Sequence, residues 1–148
     1  MSNDEKGKFG EKIADREMKK KGYKKYPSKV GSNNGFDGVY VKFNRTGDIE
    51  DIVINESKFN SAQLGYAKLG NKTSVRQMST RWIEGNLNKM LQSEDKYVRK
   101  TAKLINKYKK KGNKVTLTIN RVKLPTKVKY KHITNIWGNV PKSLKQDY

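Results

Sequence analysis

The stretch from Asp37 to Lys58 alternates apolar and polar residues on either side of a short turn, a pattern that a β-hairpin satisfies and a helix does not. A first strand is expected over residues 37–44, with Val39, Val41 and Phe43 on one face. A second is expected over 49–58, with Ile52 and Ile54 opposite Val41 and Val39. Either Thr46-Gly47 is the turn or Arg45 to Asp48 form a four-residue loop. Both put Asp37 directly across from Glu56, and the two-residue period puts Lys58 on the same face. A bulge between Asp37 and Glu56 would undo that alignment. The chain has 14 acidic residues against 34 basic ones, a net charge of +20. Two acids on the apolar strands of such a polycation call for a chemical reason.

Periodicity places the other elements. A helix is expected over 9–21, with Phe9, Ile13, Ala14 and Met18 apolar, Gly22 as its stop, and residues 1–8 frayed. Residues 23–36 carry Pro27, two glycines and two asparagines and predict a loop, pinned by Tyr23, Tyr26 and Val30. Residues 59–73 also read as loop. A second helix is expected from Ser74, where Ser74 and Gln77 fit a capping box, through Leu91. A third is capped by Ser93 and ends at Gly112, with Tyr97, Val98, Ala102, Ile105 and Tyr108 as its buried stripe. Two further strands, about 115–122 and 128–136, are separated by Leu124-Pro125-Thr126. No repeat or long linker interrupts the 148 residues, so one α+β (or α/β) domain is expected.

Composition narrows the function. A solvated surplus of +20 predicts a polyanionic partner, nucleic acid first, with an anionic membrane surface or an acidic protein as alternatives. With no cysteine and only His132, thiolate metal sites, disulfides and multi-histidine zinc sites are excluded. No apolar run approaches the ~20 residues of a membrane span. The N-terminus lacks the apolar core of a signal peptide, so export would have to be arranged outside this chain.

Against that background the hairpin acids read as chemistry. Two carboxylates can hold a hard divalent cation, magnesium or manganese by ligand type, which acidifies water and polarises a phosphoryl oxygen. Ser57 offers its main-chain carbonyl as another ligand. Lys58 can orient the attacking water or counter the charge of the transition state. The bland alternative is a solvated Glu56–Lys58 ion pair. Trp82 and Trp137 read as core anchors, and His132 as structural. The lysine runs, Lys109, Lys110 and Lys111 among them, read as solvated faces of which some should touch phosphate.

Several strings carry a family resemblance: Gly10-Glu11-Lys12-Ile13-Ala14, Lys21-Gly22-Tyr23, Asn34-Gly35-Phe36-Asp37-Gly38-Val39-Tyr40, Glu56-Ser57-Lys58, and Arg76-Gln77-Met78-Ser79-Thr80-Arg81-Trp82-Ile83. Together they resemble the PD-(D/E)xK nucleases, and more narrowly the C-terminal toxin domains of contact-dependent growth inhibition and related polymorphic toxin systems. The likeness covers residues 9–83, and Phe36-Asp37 stands where the family has Pro-Asp. It implies a restriction-endonuclease-like core, a mixed sheet flanked by helices. It also implies a metal site of Asp37, Glu56 and Ser57 (magnesium or manganese, with zinc as an alternative), a catalytic lysine at Lys58, and a helix acid at Glu11. Periodicity alone would prefer Glu17 for that last role. Gln77 is either the polar residue that the family carries after the lysine strand or half of a helix cap. The resemblance further implies a domain of a larger secreted or surface-delivered toxin. It would act in the cytoplasm of a target bacterium and be neutralised by a cognate immunity protein, acidic by charge complementarity. The substrate is DNA first, transfer RNA second. A non-enzymatic nucleic-acid-binding protein accounts for the charge equally well but leaves Asp37 and Glu56 without a role.

Overall fold

The computed structural model of the chain describes residues 2–31, 34–59, 66–69, 73–123 and 127–133. Its elements are α1 (Asn3–Lys20), β1 (Lys24–Tyr26), β2 (Lys29–Val30), β3 (Asn34–Gly35), β4 (Gly38–Phe43), β5 (Ile49–Phe59), β6 (Tyr66–Leu69), β7 (Thr73–Arg76), α2 (Thr80–Leu91), α3 (Lys96–Lys110), β8 (Thr116–Lys123) and β9 (Lys127–Ile133). Five strands make one mixed sheet in the order β1-β4-β5-β8-β9, and only β5 and β8 run parallel. A parallel pair needs a long crossover. Here the β6–β7 ladder, α2 and α3 lie between the two strands.

The two-residue period of the strands divides the core into two layers. Val39, Val41, Ile52, Ile54, Leu117 and Ile119 pack with the apolar faces of α2 and α3. On the opposite face, Tyr40 and Val53 pack with Ala14 and Met18 of α1. The fold is thus α+β, a mixed sheet with helices on both faces.

The hairpin forms in the expected register, although the turn itself differs. Val39 pairs with Ile54 and Val41 with Ile52. The turn spans five residues, Asn44 to Asp48, closed by Asn44 Oδ1 accepting from the Thr46 and Asp48 N–H groups (both 3.0 Å). The longer loop would shift the register by one. A bulge beside Phe43 leaves Glu50 unpaired and shifts it back.

Other expectations are corrected. Residues 1–8 are not frayed throughout. The Ser2 side chain accepts from Glu5 N, and the Glu5 side chain accepts from Ser2 N, a capping box that starts α1 at Asn3. The expected loop over 23–36 contains β1, β2 and β3, with Tyr26 and Val30 against the larger core and Tyr23 against the smaller. Ser74 lies in β7, not at the start of a helix. Ser79 caps α2, accepting from Trp82 N at 3.2 Å. Asp95, not Ser93, caps α3, and Tyr97 is 56% exposed rather than part of the buried stripe. Trp137 and the link 124–126 lie outside the described residues.

Gly35 introduces the site-bearing strand at φ +101°, and a Cβ there would stand 2.6 Å from the Ser28 carbonyl oxygen. Gly35→Ala should therefore cost about 1–3 kcal/mol of stability, read as a lower urea midpoint at unchanged slope.

Candidate active site

Asp37 immediately precedes β4, where the ladder with β5 ends. Its Oδ2 accepts the Ser57 N–H at 2.8 Å, so the carboxylate takes over the role of a strand acceptor. This sets it against Glu56, near enough that each carboxyl alters the other's hold on a proton. Glu56 is buried. Its Oε1 lies 3.6 Å from Lys58 Nζ, and its Oε2 is a buried oxygen with no hydrogen-bond partner. Burial and the charge of Asp37 push Glu56 well above the ordinary carboxylate range. Asp37 is held below it: the contact with Glu56, the Lys29 ammonium and the Ser57 N–H outweigh its own desolvation.

Lys58 donates from Nζ to Gln77 Oε1 at 2.8 Å. Gln77 lies in the turn between β7 and α2, and the next residue, Met78, has φ 69° with its side chain in the core. A non-glycine residue in the left-handed region is a strained position. Here it accompanies a chain reversal that leaves Gln77 facing Lys58 while Met78 is buried.

Glu11 reaches the site from α1. Helix and sheet meet closely at Gly10, where an added Cβ would stand 3.3 Å from Ser57 Cβ. Asn120 Nδ2 donates to the Gly10 carbonyl (3.1 Å), and Asn120 Oδ1 accepts from Asn55 Nδ2 (2.7 Å) and Ser57 Oγ (2.5 Å). This buried polar network fixes the helix over β5 and β8. Glu17, the alternative acid, pairs with Lys20 on its own helix at 3.7 Å.

Lys29, which sequence reasoning missed, joins the acids. Its Nζ lies 3.2 Å from Asp37 Oδ1 and 3.6 Å from Glu11 Oε1. Burial lowers the affinity of Lys29 for its proton, but Asp37 and Glu11 outweigh that and raise it. Glu11 is raised chiefly by burial. Arg121, also missed, is the β8 register partner of Lys58 and is 4% exposed. A cleft of about 380 Å³ is lined by Glu11, Lys29 and Asp37 together with Asp95, the cap of α3, and Val98 of that helix.

The structure therefore brings together Asp37, Glu56, Ser57, Lys58 and Gln77, with Glu11 at the rim. It does not bring Lys109, Lys110 and Lys111 to them. Those residues end α3, and Lys111 lines a cavity beside Ile49 at the turn end of the hairpin. Ile49 and Glu56 are seven strand residues apart, about 23 Å.

The donor set suits a hard cation. Glu56 Oε2 is a buried, donorless oxygen beside a second carboxylate, and oxygen ligands match magnesium or manganese. Among the described residues, no three His, Cys, Asp or Glu side chains converge as a cluster, and Lys29 stands between Glu11 and Asp37. No helix among them is long and apolar enough to cross a membrane. No family model, curated protein or solved structure matches this chain.

Proposed function

We propose that the chain is a metal-dependent endonuclease with a restriction-endonuclease-like core of the PD-(D/E)xK kind, hydrolysing phosphodiester bonds of DNA or, second, transfer RNA. The observation that carries this reading is the buried Glu56 carboxylate, with one oxygen unpartnered, between Asp37 and Lys58. An unsatisfied buried acid is costly, and a cation ligand at that oxygen gives it a role. In keeping with the resemblance, the chain would be the toxin domain of a larger secreted protein, neutralised by an acidic immunity protein. The net charge of +20 favours both the substrate and that inhibitor.

Asp37 and Glu56 would hold the cation, with the Ser57 carbonyl as a further ligand. When bound, it would supply charge against the phosphoryl oxygen and acidify the attacking water. The chain's own groups do the rest. Lys58, 13% exposed and held by Gln77, sets a fixed ammonium next to the carboxylates, where it can orient that water and oppose charge on the phosphorane-like transition state. Asp37 is kept ionised, ready to ligate. Lys29 neutralises Asp37 and Glu11 while no other cation does so.

Purified protein incubated with plasmid and with total transfer RNA, with and without magnesium, manganese or zinc, tests the reading. Metal-dependent cleavage of either substrate is expected. Salt-sensitive binding without cleavage under any metal would leave the non-enzymatic alternative standing. Lys29 adds a binding test. Because its ammonium competes for Asp37 and Glu11, Lys29→Met should tighten manganese binding up to about fivefold by calorimetry; unchanged or weaker binding would remove that role.

A further inference from the structure

Tyr97 is the large apolar residue that the described fold leaves exposed, at 56%. It sits in the first turn of α3, between Asp95 and Val98, which line the cleft over Asp37, and the lysine stripe of the helix. Lys96 Nζ and Lys100 Nζ stand 5.2 and 5.7 Å from its ring centroid. Helical spacing sets Leu104 and Lys111 on the same flank, seven and fourteen residues on. That flank ends in a cavity of about 570 Å³ at the turn end of the hairpin. Phe43, Ile49, Leu104 and Tyr108 line it with apolar surface, and Lys103, Lys107 and Lys111 line it with ammoniums. Asp48, the carboxylate on its lining, accepts from the Thr46 hydroxyl at 3.1 Å. No carboxylate among the described residues pairs with Lys103, Lys107 or Lys111.

Aromatic platforms interleaved with cations at about 5.4 Å per helical turn form the arrangement that takes an unpaired strand, bases on the rings and phosphates on the ammoniums. A duplex hides its base faces and has no use for an exposed ring. We propose that this flank of α3 is a binding track for single-stranded nucleic acid, with one base stacked on Tyr97 and another in the cavity above Leu104 and Tyr108. Lys100, Lys103, Lys107 and Lys111 then follow the backbone between them. The track deepens the nuclease reading: substrate at this site is unpaired on the α3 side of the cleft, in a loop, an overhang or an opened duplex. It shares with that reading only the cleft it leads from.

Binding measured in EDTA separates the two, since it needs neither metal nor cleavage. Fluorescence anisotropy with a labelled single-stranded oligonucleotide and a blunt duplex should show Tyr97→Ala weakening the single strand about tenfold and leaving the duplex unchanged, with Tyr97→Trp restoring it. Lys103→Gln with Lys107→Gln should lower the salt slope for the single strand by about 1.4, the value for two lost phosphate contacts. A 2-aminopurine in the strand should lose fluorescence on binding the wild type and not Tyr97→Ala. Equal single-strand and duplex losses in Tyr97→Ala, or none, would overturn the track while leaving metal-dependent cleavage untouched.

Discussion

Glu56→Gln is expected to make the metal-free protein more stable and to bring metal-dependent cleavage down to background. The two effects share one cause. Glu56 is buried, has an oxygen without a donor and faces the ionised Asp37, so its charged form is disfavoured in the fold. An amide of the same shape removes the charge and can donate to Asp37. The gain should be about 1–3 kcal/mol, the usual cost of an unsatisfied buried polar group. The same exchange removes the anionic ligand, and cation binding goes with it. A variant that unfolds earlier than wild type, or still cleaves, would contradict the assignment.

The pH dependence follows from the same residue. A carboxyl whose folded value is raised contributes stability that is complete below its unfolded value, near 4.5, and lost as pH climbs through the folded value. Asp37, held below the ordinary range, is ionised throughout that window and adds no slope. Metal-free wild type should therefore lose stability as pH rises above the unfolded value of 4.5, and Glu56→Gln should lose less. Manganese should restore the wild type progressively more as pH rises, seen as a growing thermal shift.

Much of the site was legible because alternation is a strong signal. The apolar faces of β4 and β5 fix the pairing of Val39 with Ile54, and Asp37 and Glu56 follow from it. The register survived because a five-residue turn and the Glu50 bulge offset each other, and neither is visible in the pattern. The choice of Glu11 over Glu17 rests on the resemblance; what brings Glu11 to the Lys29 that Asp37 shares is the contact of Gly10 with Ser57 and Asn120, a tertiary fact. Lys29 was not legible. Its position depends on the β2–β3 ladder, two residues a side, which Pro27 and the neighbouring glycines disguise as loop. Ser2–Glu5 and Ser74–Gln77 share the capping-box spacing, but the first pair starts a helix whereas Ser74 lies in a strand, a difference that spacing does not carry. Tyr97 looked buried by periodicity; Thr101 takes the place on the buried face, its hydroxyl donating to the Tyr97 carbonyl at 3.0 Å.

Lys58→Met should cut cleavage by about 10²–10³-fold without weakening manganese binding, because the ammonium acts on developing charge and, 3.6 Å from Glu56, competes with the cation rather than ligating it. Gln77→Leu should cost about tenfold, the loss of one hydrogen bond to a charged group. Gln77 acts through Lys58: its Oε1 holds the ammonium at 2.8 Å, and without it Lys58 is left to the 3.6 Å pairing with Glu56. The double variant therefore separates positioning from direct action. If Gln77 only orients Lys58, Lys58→Met with Gln77→Leu cleaves no more slowly than Lys58→Met alone, since the orienter has nothing left to orient. Additive losses would mean that Gln77 meets the substrate or water independently. A Lys58→Met protein that cleaves at the wild-type rate would leave the lysine a mere counter-ion to Glu56, and the nuclease reading would then rest on the two carboxylates alone.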